Sequence, residues 1–172
     1  MYYILQVIQI DPNYVAGFFD GEGCARTTKV GGGKGGRRRL WKPVIEITNT
    51  NEEVMRKIHE FIGVGKFYIY RHKHNPKMKD QYRICIWGFE GITKFCDLIM
   101  DKTIIKKDIL KLVREFATYV EETRVKHKTH LHKYGSMGWT DEDIQFVKDT
   151  FVIPIRNLIR ASSNKAKRTI II

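Results

Sequence analysis

The stretch Val15-Ala16-Gly17-Phe18-Phe19-Asp20-Gly21-Glu22-Gly23 decides the fold of this chain. Asp11 and Pro12 precede it, and an N-cap aspartate followed by a first-turn proline predicts a helix that begins there. The helix ends in glycine, with the carboxylate of Glu22 at its end. One side of the helix is almost bare, so a second helix could approach closely, because the residues there are small: Ala16, Gly17 and Gly21.

Composition indicates a folded protein with a basic surface. The chain has 172 residues, which is enough for one domain with a real hydrophobic core. Its net charge is +12, while 42% of its residues are hydrophobic. Positive charge of this size favours a polyanionic partner, with nucleic acid ahead of an anionic membrane.

The chain carries no evident targeting or membrane-spanning segment. No apolar run approaches the roughly 20 residues that a spanning helix needs, and residues 1–10 lack the basic region of a signal peptide. The three scattered cysteines argue against a disulfide framework and against a cysteine-rich zinc site. We therefore expect an intracellular, non-secreted protein, in an organelle or a prokaryotic cytoplasm, with no membrane partner and no small-molecule cofactor.

Hydrophobic periodicity predicts two hairpins separated by a helix. The predicted strands are 24–30, 40–48, 66–72 and 81–89, and the predicted helices after the first are 50–63, 91–100 and 104–122. Capping boxes are predicted at Thr50 with Glu53 and at Thr140 with Asp143, and Pro154 should start a further helical piece. The buried stripe of the long helix is predicted to be Ile105, Ile109, Leu112, Val113 and Phe116.

The order α-β-β-α-β-β-α predicts an α+β fold. Two hairpins joined by a helix favour one four-stranded, mostly antiparallel sheet with the helices on a single face. The other face would be open to a ligand. We expect a single domain over residues 1–172, with a core at about 11–122 and a C-terminal helical extension at about 139–168.

The nine-residue stretch resembles the signature of the LAGLIDADG homing endonucleases. It matches that signature at Ala16, Gly17, Asp20 and Gly23 and departs from it at Val15, Phe18, Phe19, Gly21 and Glu22. The predicted order of helices and strands is also similar to the fold of this family, over roughly residues 11–116. The alternative is a small-residue helix that ends in a glycine cap with a solvated carboxylate.

The resemblance implies a metal site and a subunit interface. Glu22, in place of the second aspartate of the signature, would bind Mg²⁺ at the scissile phosphate together with the backbone carbonyl of Gly21, and Mn²⁺ or Ca²⁺ could occupy the same site. One carboxylate is too little for a metal-dependent hydrolase, and the chain contains no second signature. We therefore expect a homodimer that brings two copies of Glu22 together, with interface residues Ala16, Gly17 and Asp20. Asp20 is also expected to order the helix end by hydrogen bonding rather than to bind metal.

Two further residues match catalytic positions by resemblance. Asn49, where a glutamine would be expected, and Lys106 would surround the attacking water. Asn49 could equally cap a helix, and Lys106 competes with Lys107 or with an ordinary surface role.

The open face of the sheet and the loop of the first hairpin are predicted to bind double-stranded DNA. A two-stranded ribbon fits the major groove, where arginine and glutamine read base edges, and a glycine-rich basic loop suits phosphate contact. A solvated face and a solvated charged loop are the alternatives. Glu46 could contact a cytosine amino group or pair with Lys42. The candidate residues are Arg26, Thr28, Lys34, Arg37, Arg38, Arg39, Lys42, Glu46, Thr48, Lys66, Tyr68, Tyr70, His72, Gln81 and Arg83.

Together with these features, the resemblance implies a Mg²⁺-dependent endonuclease that hydrolyses both strands of a long, near-palindromic DNA site. A non-catalytic nucleic-acid binder on the same scaffold, such as an intron RNA maturase, is the alternative. A basic cluster around His127, His130 and His132 could touch DNA phosphates or form a solvated helix end. Zinc binding there is disfavoured, because the spacing lacks a fourth ligand.

Overall fold

The computed structural model describes residues 9–30, 40–71, 77–126 and 139–168. The predicted order of helices and strands is confirmed, and the C-terminal helices follow it. A π-helical segment at Lys148–Val152 joins the last two helices. In chain order the elements are α1 (Pro12–Glu22), β1 (Gly23–Val30), β2 (Leu40–Asn49), α2 (Glu52–Ile62), β3 (Lys66–Tyr70), β4 (Gln81–Ile86), α3 (Phe89–Ile99), α4 (Lys107–Lys126), α5 (Asp141–Val147) and α6 (Ile153–Arg168).

The strands form one antiparallel sheet in the order β1-β2-β4-β3, and the predicted α+β fold is confirmed. Gly23 lies opposite Ile47, and Ile47 lies opposite Ile84. Side chains alternate between the two faces along a strand. In this register, every second side chain therefore packs into the core between the sheet and the helices. The fully buried members of that set are Ile45, Ile47, Ile84 and Ile86.

Helix α1 begins as predicted. Asp11 is its N-cap, and the Asp11 Oδ1 accepts a hydrogen bond from the Tyr14 amide at 2.7 Å. Gly23 follows the last residue of α1, and its φ of −85° is open to any residue. Glycine is nevertheless required there for packing, because a Cβ would lie 2.0 Å from Cδ2 of Phe19.

Helix α2 starts one residue later than the capping-box pattern predicts. Asn51 is its N-cap, and Asn51 Oδ1 accepts from the Val54 amide at 3.1 Å, so the predicted cap at Thr50 is wrong. Asparagine competes well with threonine for this position. Gly63 ends the helix with a φ of +61°, as expected of a glycine after a helix.

The start of helix α4 also differs from the prediction. The helix begins at Lys107, so Ile105 precedes it and is 64% exposed rather than part of the buried stripe. Ile104, beside it, is 88% exposed. Most of the predicted stripe is buried, namely Ile109, Val113 and Phe116.

The C-terminal extension packs into the same core as the sheet. Its capping box is present as predicted, since the Thr140 amide donates to Asp143 Oδ2 at 2.7 Å and the Asp143 amide donates to Thr140 Oγ1 at 3.1 Å. Phe151, in the π-helical segment, stacks on Phe116 of α4 with ring centroids 4.9 Å apart. Pro154 lies in the first turn of α6, where its missing amide is tolerated. In the described part of the chain, no helix is long and apolar enough to cross a membrane.

Candidate active site and nucleic-acid interface

Helix α1 has one buried face and one open face. Val15, Ala16 and Phe19 are fully buried within the protomer. Gly17 and Gly21 are exposed, and a Cβ built at either position would have no heavy atom within 4 Å. Ala16 thus lies on the buried face with Val15 and Phe19, whereas Gly17 lies on the open face, and a contact of Ala16 across a dimer interface stays a prediction.

Asp20 ties the end of α1 to the start of α4. Its Oδ2 accepts hydrogen bonds from the amides of Ile104 at 2.8 Å and Ile105 at 3.2 Å, and its Oδ1 accepts from the Lys106 amide at 3.0 Å. The hydrogen-bonding role expected of Asp20 is thus observed, and its bonds join the end of α1 to the backbone that leads into α4. A contact of Asp20 across a dimer interface stays a prediction.

Lys106 lies directly behind the end of α1. Its Nζ donates to the carbonyl oxygens of Phe19 at 2.9 Å and Gly23 at 2.6 Å. Burial lowers the pKa of Lys106 from its usual value, while the negative charge of Asp20 and, more weakly, that of Glu22 oppose the shift. Lys107 is instead exposed beside Asp101, with Nζ and Oδ1 3.9 Å apart. Of the two candidate lysines, Lys106 is therefore the one placed at this site.

Glu22 and Gly21 form the exposed end of α1. Both are exposed, and no basic side chain lies in the last turn of the helix. The C-terminal end of a helix carries partial negative charge from its unpaired carbonyl groups, which favours a cation. Carboxylate and carbonyl oxygens are also the donors that Mg²⁺ prefers. Among the described residues no group of three or more His, Cys, Asp or Glu side chains could hold a metal ion.

Asn49 lies at the same end of the sheet. Gly23, the first residue of β1, is paired with Ile47 of β2. Because the two strands are antiparallel, Asn49 lies two residues beyond this pair, on the side of the sheet where α1 ends. Its Oδ1 accepts from the Asn51 amide at 2.9 Å and thereby organises the turn into α2. The structural role is observed, and a catalytic role for Asn49 stays a prediction.

The register places the predicted DNA-binding residues of the strands on one face, opposite the helices. Thr48, Arg83 and Tyr68 form one row across β2, β4 and β3. Other rows on this face contain the remaining strand residues, namely Arg26 with Val44, Thr28 with Lys42, Tyr70 with Gln81, and Glu46 with Lys66 through Cys85. The rings of Tyr68 and Tyr70 are 37% and 41% exposed. The face is thus basic and aromatic, although contact with DNA is not itself observed.

Glu46 is the centre of a charged cluster on this face. Its Oε2 accepts from Arg26 Nε at 2.9 Å, and Nη1 of Arg83 lies 3.9 Å from its Oε1. The Cys85 thiol donates to the same Oε1 at 3.6 Å, and burial together with the charge of Glu46 raises the pKa of Cys85 to about 11. The pairing expected with Lys42 is not observed in the described structure, because Arg26 on the neighbouring strand takes that place.

Several predicted site residues lie outside the described residues. They are the basic loop residues Lys34, Arg37, Arg38 and Arg39, the strand residue His72, and the histidines His127, His130 and His132. Their predicted roles stay predictions.

Sequence reasoning missed two features of the site. The contact of Asp20 with residues 104–106 joins positions 84 to 86 apart in the chain, and no local pattern signals it. The adjacent exposed pair Ile104 and Ile105 was assigned in part to a buried stripe. Ile105 keeps the helical spacing to Ile109, so periodicity alone gave no signal that it lies outside the helix.

Solved structures of homing endonucleases share this fold. The homing endonuclease I-CvuI in complex with a DNA target has a TM-score of 0.53 at 15% identity, with 81% of this chain and 93% of that chain covered. The archaeal intron-encoded homing endonuclease I-Vdi141I, complexed with DNA, has a TM-score of 0.53 at 22% identity, with 86% of this chain and 95% of that chain covered. For the LAGLIDADG homing endonuclease I-GzeII with its DNA target the TM-score is 0.55 at 16% identity, with 86% of this chain but 44% of that chain covered. The fold class is therefore that of the homing endonucleases.

Sequence similarity identifies the family. The family model described as LAGLIDADG endonuclease matches residues 15–112, which is more than half of the chain. The chain therefore belongs to the LAGLIDADG endonuclease family, and it carries the signature once. No curated protein is significantly similar to it in sequence.

Proposed function

We propose that this protein is a homodimeric, site-specific endonuclease that makes a double-strand break in a long, near-palindromic DNA target. The observation that carries the proposal is the position of Glu22. It lies exposed at the end of the open face of α1, with the Lys106 ammonium directly behind that helix end. In a protein that only binds DNA, a carboxylate at this point would repel the DNA phosphates. A metal-dependent nuclease, by contrast, needs a carboxylate there to hold the metal.

The open face of α1 supports dimerisation. A Cβ built at Gly17 or Gly21 would have no heavy atom within 4 Å. The same helix of a second copy could therefore approach this face closely. Ile104 and Ile105 lie next to Asp20 at the end of α1 and are 88% and 64% exposed, so they would extend this contact with apolar area. A twofold axis along α1 would then place one Glu22 near each strand of a duplex.

Each copy of the site would hold metal at one of the two strands. Glu22 and the Gly21 carbonyl of each protomer are the residues that would bind Mg²⁺, which would supply charge stabilisation at the scissile phosphate and a more acidic water. Lys106, fixed by two carbonyl oxygens, would keep a positive charge beside the developing negative charge on the phosphate. Asp20 would position Lys106 by holding its backbone amide.

The open sheet face would hold the duplex. Its lysines and arginines suit phosphate and guanine contacts, and its net basic character agrees with the overall charge of +12. A protein of this kind should bind less tightly as salt rises, because bound phosphates release counterions.

Plasmid cleavage tests the proposal. The substrate is a supercoiled plasmid carrying the DNA that flanks the reading frame, joined at the insertion point, and the reaction contains Mg²⁺. We expect linear product from the wild type, none from Glu22→Gln, and wild-type product from the control Glu60→Gln, which changes an exposed glutamate of α2. Equal cleavage by wild type and Glu22→Gln would refute the role of Glu22. A wild type that binds the plasmid without cutting it would favour a non-catalytic role such as RNA maturation.

A further inference from the structure

We infer that Glu46 is a positioning residue that holds Arg26 and Arg83 in place on the open face, so that two strands present prearranged guanidinium groups to guanine edges. The inference rests on the proposed function, because it needs duplex DNA on this face. It also replaces the expectation that Glu46 contacts a base itself.

The contact with Arg26 uses one edge of the guanidinium group. Arg26 Nε lies 2.9 Å from Glu46 Oε2, and Arg26 Nη2 lies 2.8 Å from the same oxygen. Arginine has five N–H donors in a planar fork, so the edge that carries Nη1 remains available. The Arg26 side chain is 40% exposed, and a bidentate contact with O6 and N7 of guanine needs such an edge.

Arg83 is held from two sides. Its Nη1 lies 3.9 Å from Glu46 Oε1, and its guanidinium carbon lies 4.5 Å from the centre of the Tyr70 ring. The Arg83 side chain is 30% exposed, and its Nε is buried without a hydrogen-bond partner in the described structure. The group is thus restricted by the charge of Glu46 and by the Tyr70 ring, while part of the side chain remains exposed.

Glu46 itself is badly placed to read a base. Its side chain is only 16% exposed, and its two oxygens already face Arg26, Arg83 and the Cys85 thiol. A carboxylate on a surface that meets phosphates is unfavourable unless it is paired. Because two arginines surround one glutamate, the cluster keeps a net positive charge. These contacts fit an anchor between two arginines better than a base-reading group.

The ladder register sets the two arginines apart. Arg26 lies opposite Val44 and Arg83 lies opposite Thr48, so Glu46 is midway between them along β2. The two guanidinium groups would therefore address different base pairs. Loss of the anchor should weaken discrimination at both positions at once.

The first test uses the protein without DNA. Nitrogen-15 NMR of the arginine Nε–H groups reports whether Arg26 is held in place. We expect a protected Arg26 signal in the wild type and in Glu60→Gln, and exchange with water about tenfold faster in Glu46→Gln, which removes the charge that strengthens the bond. Unchanged protection in Glu46→Gln would overturn the inference, whatever the protein does to DNA.

The second test uses a randomised library of DNA duplexes and sequencing of the bound fraction. We expect two guanine preferences in the wild type, each reduced about tenfold in Glu46→Gln. Adding Glu46→Gln to Arg26→Ala should not reduce the preference at the Arg26 position any further, because residues that act as a unit are not additive. A preference that depends on Glu46 even after both arginines are replaced by alanine would mean that Glu46 reads a base and would overturn the inference. A wild type with no preference at all would contradict the proposed function, and the NMR result would still decide the role of Glu46.

Discussion

At the scale of single residues, Asp20 shows how the signature connects distant parts of the chain. It accepts hydrogen bonds from the three amides that precede α4, and the last of these belongs to Lys106. The same carboxylate therefore fixes the end of α1 and the backbone of the lysine behind it. The match to the family signature could flag Asp20, but the identity of its partners could not be read from the sequence.

Replacing Asp20 should lower both stability and cleavage. Asp20→Ala removes the acceptor of three backbone donors, and loss of such a cap costs about 0.5–2 kcal/mol of unfolding free energy. Cleavage should fall as well, because Lys106 loses its backbone anchor. Urea unfolding and the plasmid assay measure the two effects.

Asp101→Ala is the matched control for this prediction. Asp101 is 89% exposed and lies 3.9 Å from Lys107. Loss of such a surface pair changes stability by about 0–1 kcal/mol. If Asp20→Ala behaved like Asp101→Ala in both assays, the connecting role of Asp20 would be wrong.

At the scale of elements, periodicity predicted the sheet and its two faces. Alternation in β2 and β4 correctly separated buried Ile45, Ile47 and Ile84 from the open face, because each strand has the core on one side only. Boundaries were less predictable. β4 ends at Ile86 and not at residue 89, since Gly88 has a φ of +80° and turns the chain into α3.

The C-terminal elements show a second limit of periodicity. The capping box at Thr140 was predictable from local chemistry, and it is present. The π-helical segment before α6 was not predicted, and Phe151 within it stacks on Phe116 of α4. Such a contact between distant elements leaves no local pattern.

The open face of α1 yields a prediction about assembly. Gly17→Leu should leave the protomer folded, since a Cβ at Gly17 meets no heavy atom within 4 Å, but it should block close approach of a second α1. Sedimentation velocity is expected to show a dimer for the wild type and a monomer for this variant.

Glu60→Leu is the control for assembly, because it adds the same side chain to an exposed position of α2. It should remain dimeric. A dimer that survives Gly17→Leu, or a wild type that is monomeric on its DNA, would mean that α1 is not the interface.

At the scale of the whole molecule, the proposed double-strand cleavage needs two copies of the chain. The signature predicted a member of this family, and the family match agrees. The site within one protomer contains Glu22, Lys106 and the groups that hold them, with no complete metal cluster in the described residues. How a second copy would be oriented could not be predicted from the sequence, because symmetry depends on surfaces and not on local pattern.

The most direct measurement of the central claim uses mixed dimers. Wild-type and Glu22→Gln chains carry different affinity tags, the mixed species is purified through both tags, and it is incubated with supercoiled target plasmid and Mg²⁺. Because each Glu22 should serve one strand, the mixed dimer is expected to give nicked circles, while the wild type gives linear DNA and the double variant gives neither. Linear DNA formed by the mixed dimer at the wild-type rate would contradict the claim that each protomer contributes half of the active site.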